Sequence, residues 1–162
     1  MTDLYKTQYK SPIGIIEITA NELEIVSLYF TDTEIETQNP HNPIVELCVY
    51  ELDAYFEGKI RQFTFPYSQN GTDFQKRVWN ELINIAYSET ISYAELSKRI
   101  NNPKAVRAVG SANGKNPLSI VVPCHRVIGN NGKLIGYSGG LWRKKWLLDH
   151  EKSVKYELNT LF

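Results

Sequence analysis

"SYAELSKRINNPKAVRAVGSANG", residues 92–114, is the stretch on which the reading of this chain turns. Ser92 followed by Glu95 is a capping-box pattern and opens a helix over "YAELSKRI". Asn102-Pro103 starts another, with proline at the first helical position, and "KAVRAVGSAN" carries it to Gly114. Two short helices joined by "NNP" form a helix-turn-helix pattern. The second helix is built of small residues, Ala105, Ala108, Gly110, Ser111, Ala112 and Gly114. Small residues let a backbone come close to a neighbour, which suits packing on another helix as well as approach to nucleic acid. Arg107 is the one long side chain near the middle of this surface, and Lys98, Arg99, Lys104 and Lys115 flank it. Such a rim holds phosphates, which fixes position without reading sequence.

Upstream, Thr72 and Gln75 make another capping box, so a helix is expected from about residue 73 with Phe74, Val78, Leu82 and Ile85 inward. "SQNGT" (68–72) reads as a linker. Before it, "IGIIEITA" (13–20) and "LEIVSLYF" (23–30) form a hairpin, with a further strand near Leu4–Tyr9. The polar stretch 31–43 is a loop, and "IVELCVYELDAYFEG" is a helix stopped by Gly58. Its apolar face takes Cys48 as a small buried hydrophobe. Downstream come a short strand (119–122), a tight hairpin turn at Asn131-Gly132 and a last helix from about Leu141. The chain is therefore α/β (α+β). A small antiparallel sheet with a helix fills residues 1–71, and a mostly helical domain with a helix-turn-helix fills residues 72–162.

The formal net charge of zero hides an asymmetry that follows this boundary. Residues 1–71 hold 4 Lys/Arg against 11 Asp/Glu, and residues 72–162 hold 14 against 7. A basic half suits an anionic partner, and an acidic half argues against a protein coated with nucleic acid throughout. The opening "MTDLYKTQYK" lacks the apolar core of a signal peptide, and no apolar run reaches the roughly 18 residues of a membrane span. A cytoplasmic protein with reduced thiols is expected. Two cysteines and three scattered histidines do not make a metal-ligand pattern, so neither metal nor cofactor is expected.

"IVVPCHRVIG" (120–129) sets the Cys124 thiol beside His125 and Arg126. A free thiol is only about 3% thiolate at pH 7, so a nucleophilic cysteine needs a base or a positive environment. Adjacent strand residues face opposite ways, so Cys124 and His125 cooperate only if the chain leaves strand geometry at Pro123. His125 would also need an orienting acid, for which Glu151 and Asp149 both stand on the last helix.

"PCHRVIG", with Asn116-Pro117 upstream and "GYSGGLWRKKWLLDHE" downstream, resembles the O(6)-alkylguanine-DNA alkyltransferases, or methylated-DNA–protein-cysteine methyltransferases. The likeness runs in order through residues 72–151 and includes "ISYAEL" and "NPKAVRAVGSANGKNPLSIVVPCHRV". It implies a ribonuclease-H-like layout for the N-terminal domain and a winged-helix-like layout for the C-terminal one. It further implies a monomer that binds double-stranded DNA containing O6-alkylguanine, with O4-alkylthymine a second substrate candidate, and needs no cofactor.

By the same resemblance Cys124 is the alkyl acceptor. His125 takes its proton through a bound water, Glu151 orients His125, and Asn116 organises the active-site turn. Tyr93 donates to a ring nitrogen of guanine. Arg107 fills the stack after the damaged nucleotide flips out. Lys104, Ala105, Ala108, Ser111, Ala112, Lys115 and Arg126 belong to the DNA-binding set. Val127, Tyr137, Ser138 and Asn113 belong to the substrate pocket. Two other readings remain on the residues alone. A cysteine hydrolase would cleave a chromogenic ester, and a helix-turn-helix regulator would bind alkylated and unmodified DNA alike.

Overall fold

The computed structural model describes residues 4–36 and 41–160. Of the expected loop 31–43, residues 37–40 lie outside the described residues. The chain divides into two compact units, residues 1–70 with 117–121, and residues 71–116 with 122–162.

In the first unit, β1 (Tyr5–Ser11), β2 (Gly14–Ala20) and β3 (Ile25–Thr31) form one antiparallel sheet in the order β1-β2-β3. The register pairs Ile16 with Phe30 and Ile18 with Leu28. α1 (Pro43–Phe56) starts at Asn42, whose side chain accepts from the Ile44 and Val45 amides. It buries Val45, Cys48, Leu52 and Tyr55, residues spaced along one helical face. Cys48 is the small buried hydrophobe expected there, and burial raises its thiol pKa. Glu51, buried on the same helix, is satisfied by the Thr64 amide at 2.7 Å and the Thr64 hydroxyl at 2.7 Å.

The strand expected at 119–122 does not form. Residues 117–121 instead make a single bridge to β3 at Leu28 and Leu118 and then turn. The Leu28 amide donates to Pro117 O at 2.8 Å, and the Ser119 amide donates to Leu28 O at 3.0 Å. Ile120 then takes φ +74, which no strand accommodates and which is costly for a β-branched residue.

In the second unit, α2 (Asp73–Leu82) begins with the complete capping box of Thr72 and Gln75. Val78 and Leu82 point inward as expected. Ile85 is buried just beyond the helix end, and Phe74 is only half-buried. Trp79 is the residue on which the neighbouring helices close. It is buried, and its indole N–H donates to Ala112 O at 2.8 Å. A Cβ at Gly71 would come within 2.5 Å of its ring, so glycine is required at that contact.

β4 (Ile91–Ser92) leads into α3 (Tyr93–Arg99), which Ser92 caps at the Glu95 amide. The turn to α4 (Val106–Gly114) runs through Asn101 at φ +60, a value asparagine tolerates. α4 starts later than its proline suggested, because Pro103 and Lys104 lie in a turn closed from the Ala105 amide to Asn102 O. The chain then makes a 3-10 turn at Cys124–Arg126 and enters β5 (Val127–Ile128), which pairs in parallel with β4. Asn131-Gly132 does form a tight turn, with Gly132 at φ +73, but two strands do not flank it. α5 (Leu141–Thr160) closes the unit. Among the described residues no helix is long and apolar enough to cross a membrane.

Candidate active site and nucleic-acid face

Pro123 precedes a 3-10 turn at Cys124–Arg126, and that turn is what lets adjacent residues serve one site. Cys124 is 3% exposed and His125 is fully buried. Two asparagines from the end of α4 hold the turn. Asn116 Nδ2 donates to Val122 O at 2.8 Å, and Asn113 Nδ2 donates to Cys124 O at 3.3 Å. The Val127 amide donates back to Cys124 O, so this carbonyl is held from two sides.

Of the two acids on the last helix, the structure selects Glu151. Its Oε2 lies 2.8 Å from His125 Nε2. Asp149 is exposed and pairs instead with Lys145 at 2.6 Å. Glu151 also accepts from the Ser88 amide at 3.1 Å and from both forks of Arg126, at 2.9 and 3.1 Å. Burial alone would raise the Glu151 carboxyl, but the charges and hydrogen bonds of His125 and Arg126 outweigh it and hold the carboxyl far below the usual range. With the Arg126 guanidinium on both of its oxygens, Glu151 stays ionised whether or not His125 carries a proton. Burial lowers the His125 pKa, against the pull of Glu151. A neutral His125 therefore donates from Nε2 to the carboxylate, and Nδ1 carries the basic lone pair. Nδ1 makes no hydrogen bond to the protein among the described residues.

The Cys124 thiol is raised by burial, opposed by its hydrogen bond with Asn116 and by the positive charge of Lys144. A thiol in this state needs a base at the moment it reacts.

Lys144 was not singled out in the sequence. It is fully buried, and its Nζ donates to Ile135 O at 2.9 Å and Gly136 O at 3.0 Å. It also lies 3.5 Å from Tyr93 Oη and sits over the Tyr93 ring at 5.6 Å. Burial pulls its pKa down to about 8, against the field of Cys124. The signal was available: Lys144, Leu147, Glu151 and Val154 follow the inward period of α5, and all four are buried. A lysine on that face must have partners.

Tyr93, at the first position of α3, is half-buried and donates to Ile135 O at 2.8 Å. Burial raises its phenol, and Asn113 hydrogen bonding opposes this. Gly110 of α4 faces the Tyr93 ring, where a Cβ would sit at 3.8 Å. Tyr137 is half-buried and Ser138 exposed on the loop before α5. That loop is closed by the Gly140 amide on Tyr137 O and by the Arg143 guanidinium on Gly139 O.

On α4 and its flanks, Lys104, Arg107, Ala108, Ser111 and Lys115 are exposed at helical spacing, with Ala105 half-exposed beside them. Two members of the expected DNA-binding set do not belong to this face. Ala112 is 2% exposed, and its carbonyl accepts from the Trp79 indole. Arg126 is 7% exposed, with its guanidinium committed to Glu151, to Ile85 O at 2.7 Å and to the face of Tyr87. A buried guanidinium on a buried carboxylate cannot reach a phosphate.

A helix-turn-helix with a basic outer face, joined to a buried thiol beside an imidazole–carboxylate couple, defines a DNA-directed protein with a reactive-cysteine site. The comparisons say which. The 6-O-methylguanine DNA methyltransferase DNA binding domain matches residues 73–153, and the ribonuclease-like domain of the same family matches residues 4–69. A methylated-DNA–protein-cysteine methyltransferase from Mycobacterium leprae is 44% identical over 156 residues, covering 94% of each chain. The crystal structure of the Mycobacterium tuberculosis O6-methylguanine methyltransferase aligns with a TM-score of 0.85 at 42% identity, over 93% of this chain and 94% of that one. The Mycobacterium tuberculosis OGT in complex with DNA aligns at 0.83 and 44% identity, over 91% of this chain and 92% of that one. The chain belongs to the 6-O-methylguanine DNA methyltransferase family.

Proposed function

We propose that this protein is a cytoplasmic DNA repair alkyltransferase that moves the alkyl group of O6-alkylguanine irreversibly onto Cys124. The observation that carries the reading is the 3-10 turn that sets Cys124 next to a buried His125 whose Nε2 meets Glu151 at 2.8 Å. His125 Nδ1 receives the thiol proton through a bridging water, and Glu151 stabilises the imidazolium that results. The sulfur forms a bond to the alkyl carbon as the O6–carbon bond breaks, and the electron pair leaves on guanine. Tyr93 supplies a proton to a ring nitrogen of the leaving base. The ammonium of Lys144 stands beside the phenolate so formed.

Access to O6 requires the nucleotide to leave the stack, which costs a few kcal/mol, and Arg107 takes its place. Lys104, Ala105, Ala108, Ser111 and Lys115 seat the phosphates and the close backbone approach. Asn113, Val127, Tyr137 and Ser138 surround the flipped base. Residues 1–71 form a domain that does not touch DNA, and residues 72–162 carry binding and chemistry; the opposite charges of the two halves support this division.

The thioether offers water no acyl or phosphoryl centre to attack, so the protein acts once. With excess methylated duplex, repair plateaus at one lesion per protein, and intact mass shows one added methyl group that digestion places on Cys124. Added volume in this packed turn costs roughly 1–3 kcal/mol, so the spent form melts lower. Repair that continues past equimolar amounts overturns the single-use mechanism, and hydrolysis of a chromogenic ester would favour a hydrolase.

Arg107→Ala should slow transfer from duplex DNA about tenfold or more while leaving transfer from free alkylated base unchanged, since only the duplex requires flipping. Single-turnover rates on the two substrates check this. Equal losses would make Arg107 structural.

A further inference from the structure

Arg126 takes no step in the chemistry above and lies off the DNA face. We infer that Arg126 is a positioning residue for alkyl transfer: it neutralises Glu151 inside the protein and so keeps His125 uncharged at rest, able to accept the Cys124 proton. The inference rests on the reading of His125 as the base.

Three geometric facts carry it. Arg126 meets both oxygens of Glu151 in a fork, 2.9 Å from Nε to Oε1 and 3.1 Å from Nη2 to Oε2. Its remaining nitrogen is spent on Ile85 O at 2.7 Å, and Tyr87 covers the guanidinium at 5.5 Å, so the fork has one orientation. Glu151 Oε2 is the same oxygen that receives His125 Nε2. All of this is out of water, with His125 and Glu151 both 0% exposed.

An isolated buried carboxylate is strongly disfavoured and draws a proton or a cation to itself. Were Arg126 absent, the nearest group able to supply positive charge would be His125. The imidazole would rest protonated, with both nitrogens as donors and no lone pair for the thiol proton. With Arg126 present, Glu151 already has its cation. Its remaining task is to fix the Nε2–H tautomer and to stabilise the imidazolium once it forms.

Among the described residues, the charged and titratable groups about His125 are Glu151 and Lys144 from α5 and Cys124 and Arg126 from the turn. Arg126 and Lys144 oppose protonation and Glu151 favours it. Removing Arg126 therefore raises the affinity of His125 for a proton, directly and by leaving Glu151 uncompensated.

The test is the pH profile of single-turnover transfer by the full-length protein on a duplex containing O6-methylguanine, between about pH 5 and pH 8. Arg126→Gln should move the acid limb upward by about one unit, a roughly tenfold loss where the wild type is still at its plateau, with a smaller loss at the alkaline end. Nitrogen NMR of the imidazoles should show a protonated buried ring at pH values where the wild type is neutral. Adding Glu151→Gln to that variant should bring the limb back down, because no carboxylate remains to hold the proton. Arg126→Lys, which keeps the charge and loses the fork, should leave the limb in place and lower the plateau.

A folded Arg126→Gln variant with limb and ring signals at their wild-type positions would overturn the inference. If Arg126→Gln does not fold, Arg126→Lys decides: an unmoved limb with a lower plateau supports the inference, and a limb displaced although the charge is kept overturns it. A His125→Asn variant with an undiminished rate would instead overturn the assignment of the base itself.

Discussion

Cys124→Ser is expected to abolish alkyl transfer and to leave duplex binding nearly unchanged. The loss is complete because a hydroxyl is a far poorer nucleophile toward an alkyl carbon and ionises far less readily than a thiol. His125 relieves a buried thiol of its proton, but the same base cannot make serine an equivalent soft nucleophile. Binding should survive because the residues proposed to carry it, Arg107, Lys104 and Lys115, are all exposed on or beside α4, whereas Cys124 is buried. The measurement is intact-protein mass after exposure to methylated duplex, alongside a binding titration at fixed salt. Residual transfer in the variant would direct attention to Cys48, whose buried position in α1 and raised thiol argue against reaction. Loss of binding together with transfer would mean that the serine disturbs the fold.

Lys144→Met should cost about a hundredfold to a thousandfold in single-turnover rate, the scale expected when one charge-stabilising donor is removed from a reaction centre. Two contributions add. The ammonium holds the Ile135 and Gly136 carbonyls, and with them the loop that carries Tyr137 and Ser138. It also stands beside the Tyr93 oxygen, where negative charge appears as the base departs. Stability should move the other way or stay level, because replacing a buried charge by an apolar chain of similar volume is often neutral or favourable. A slower but equally stable protein separates this role from a structural one. The pH dependence gives a second check. Burial brings Lys144 down to about 8, so the ammonium is lost as pH rises through that value. The ratio of wild-type to Lys144→Met rates should therefore fall above about pH 8. A ratio constant across that range would remove the electrostatic part of the argument and leave only the loop contacts.

Much of this protein is determined by local sequence. Helix starts are written in short-range chemistry, and Thr72 with Gln75, Ser92 with Glu95, and the period of α1 each act within a few residues of themselves. The sheet strands follow from alternation and β-branched residues in the same local way. The charge division between the halves is likewise a property of composition. The family is legible because PCHRV with its flanks is a contiguous pattern, and the role proposed for each site residue comes with that pattern rather than from spacing.

What only the tertiary structure decided is which side chains meet. Asp149 and Glu151 are equally good acids on paper. The inward period of α5, anchored by buried Leu147, brings Glu151 to His125 and leaves Asp149 in solvent with Lys145. The resemblance puts Arg126 and Ala112 in the DNA-binding set, and the structure buries both. Burial follows from the packing of neighbouring elements, which no local pattern encodes. Residues 119–122 carry strand-forming side chains, yet the turn at Ile120 overrides that preference, and the bridge to β3 is made by Leu118 just before them. Lys144 lies on the buried face of α5, and only the fold shows that its ammonium meets the Ile135 and Gly136 carbonyls and the Tyr93 oxygen. Secondary structure depends on neighbours in sequence. A buried ion cluster depends on neighbours in space, because charges leave water only where the fold supplies each with its partner.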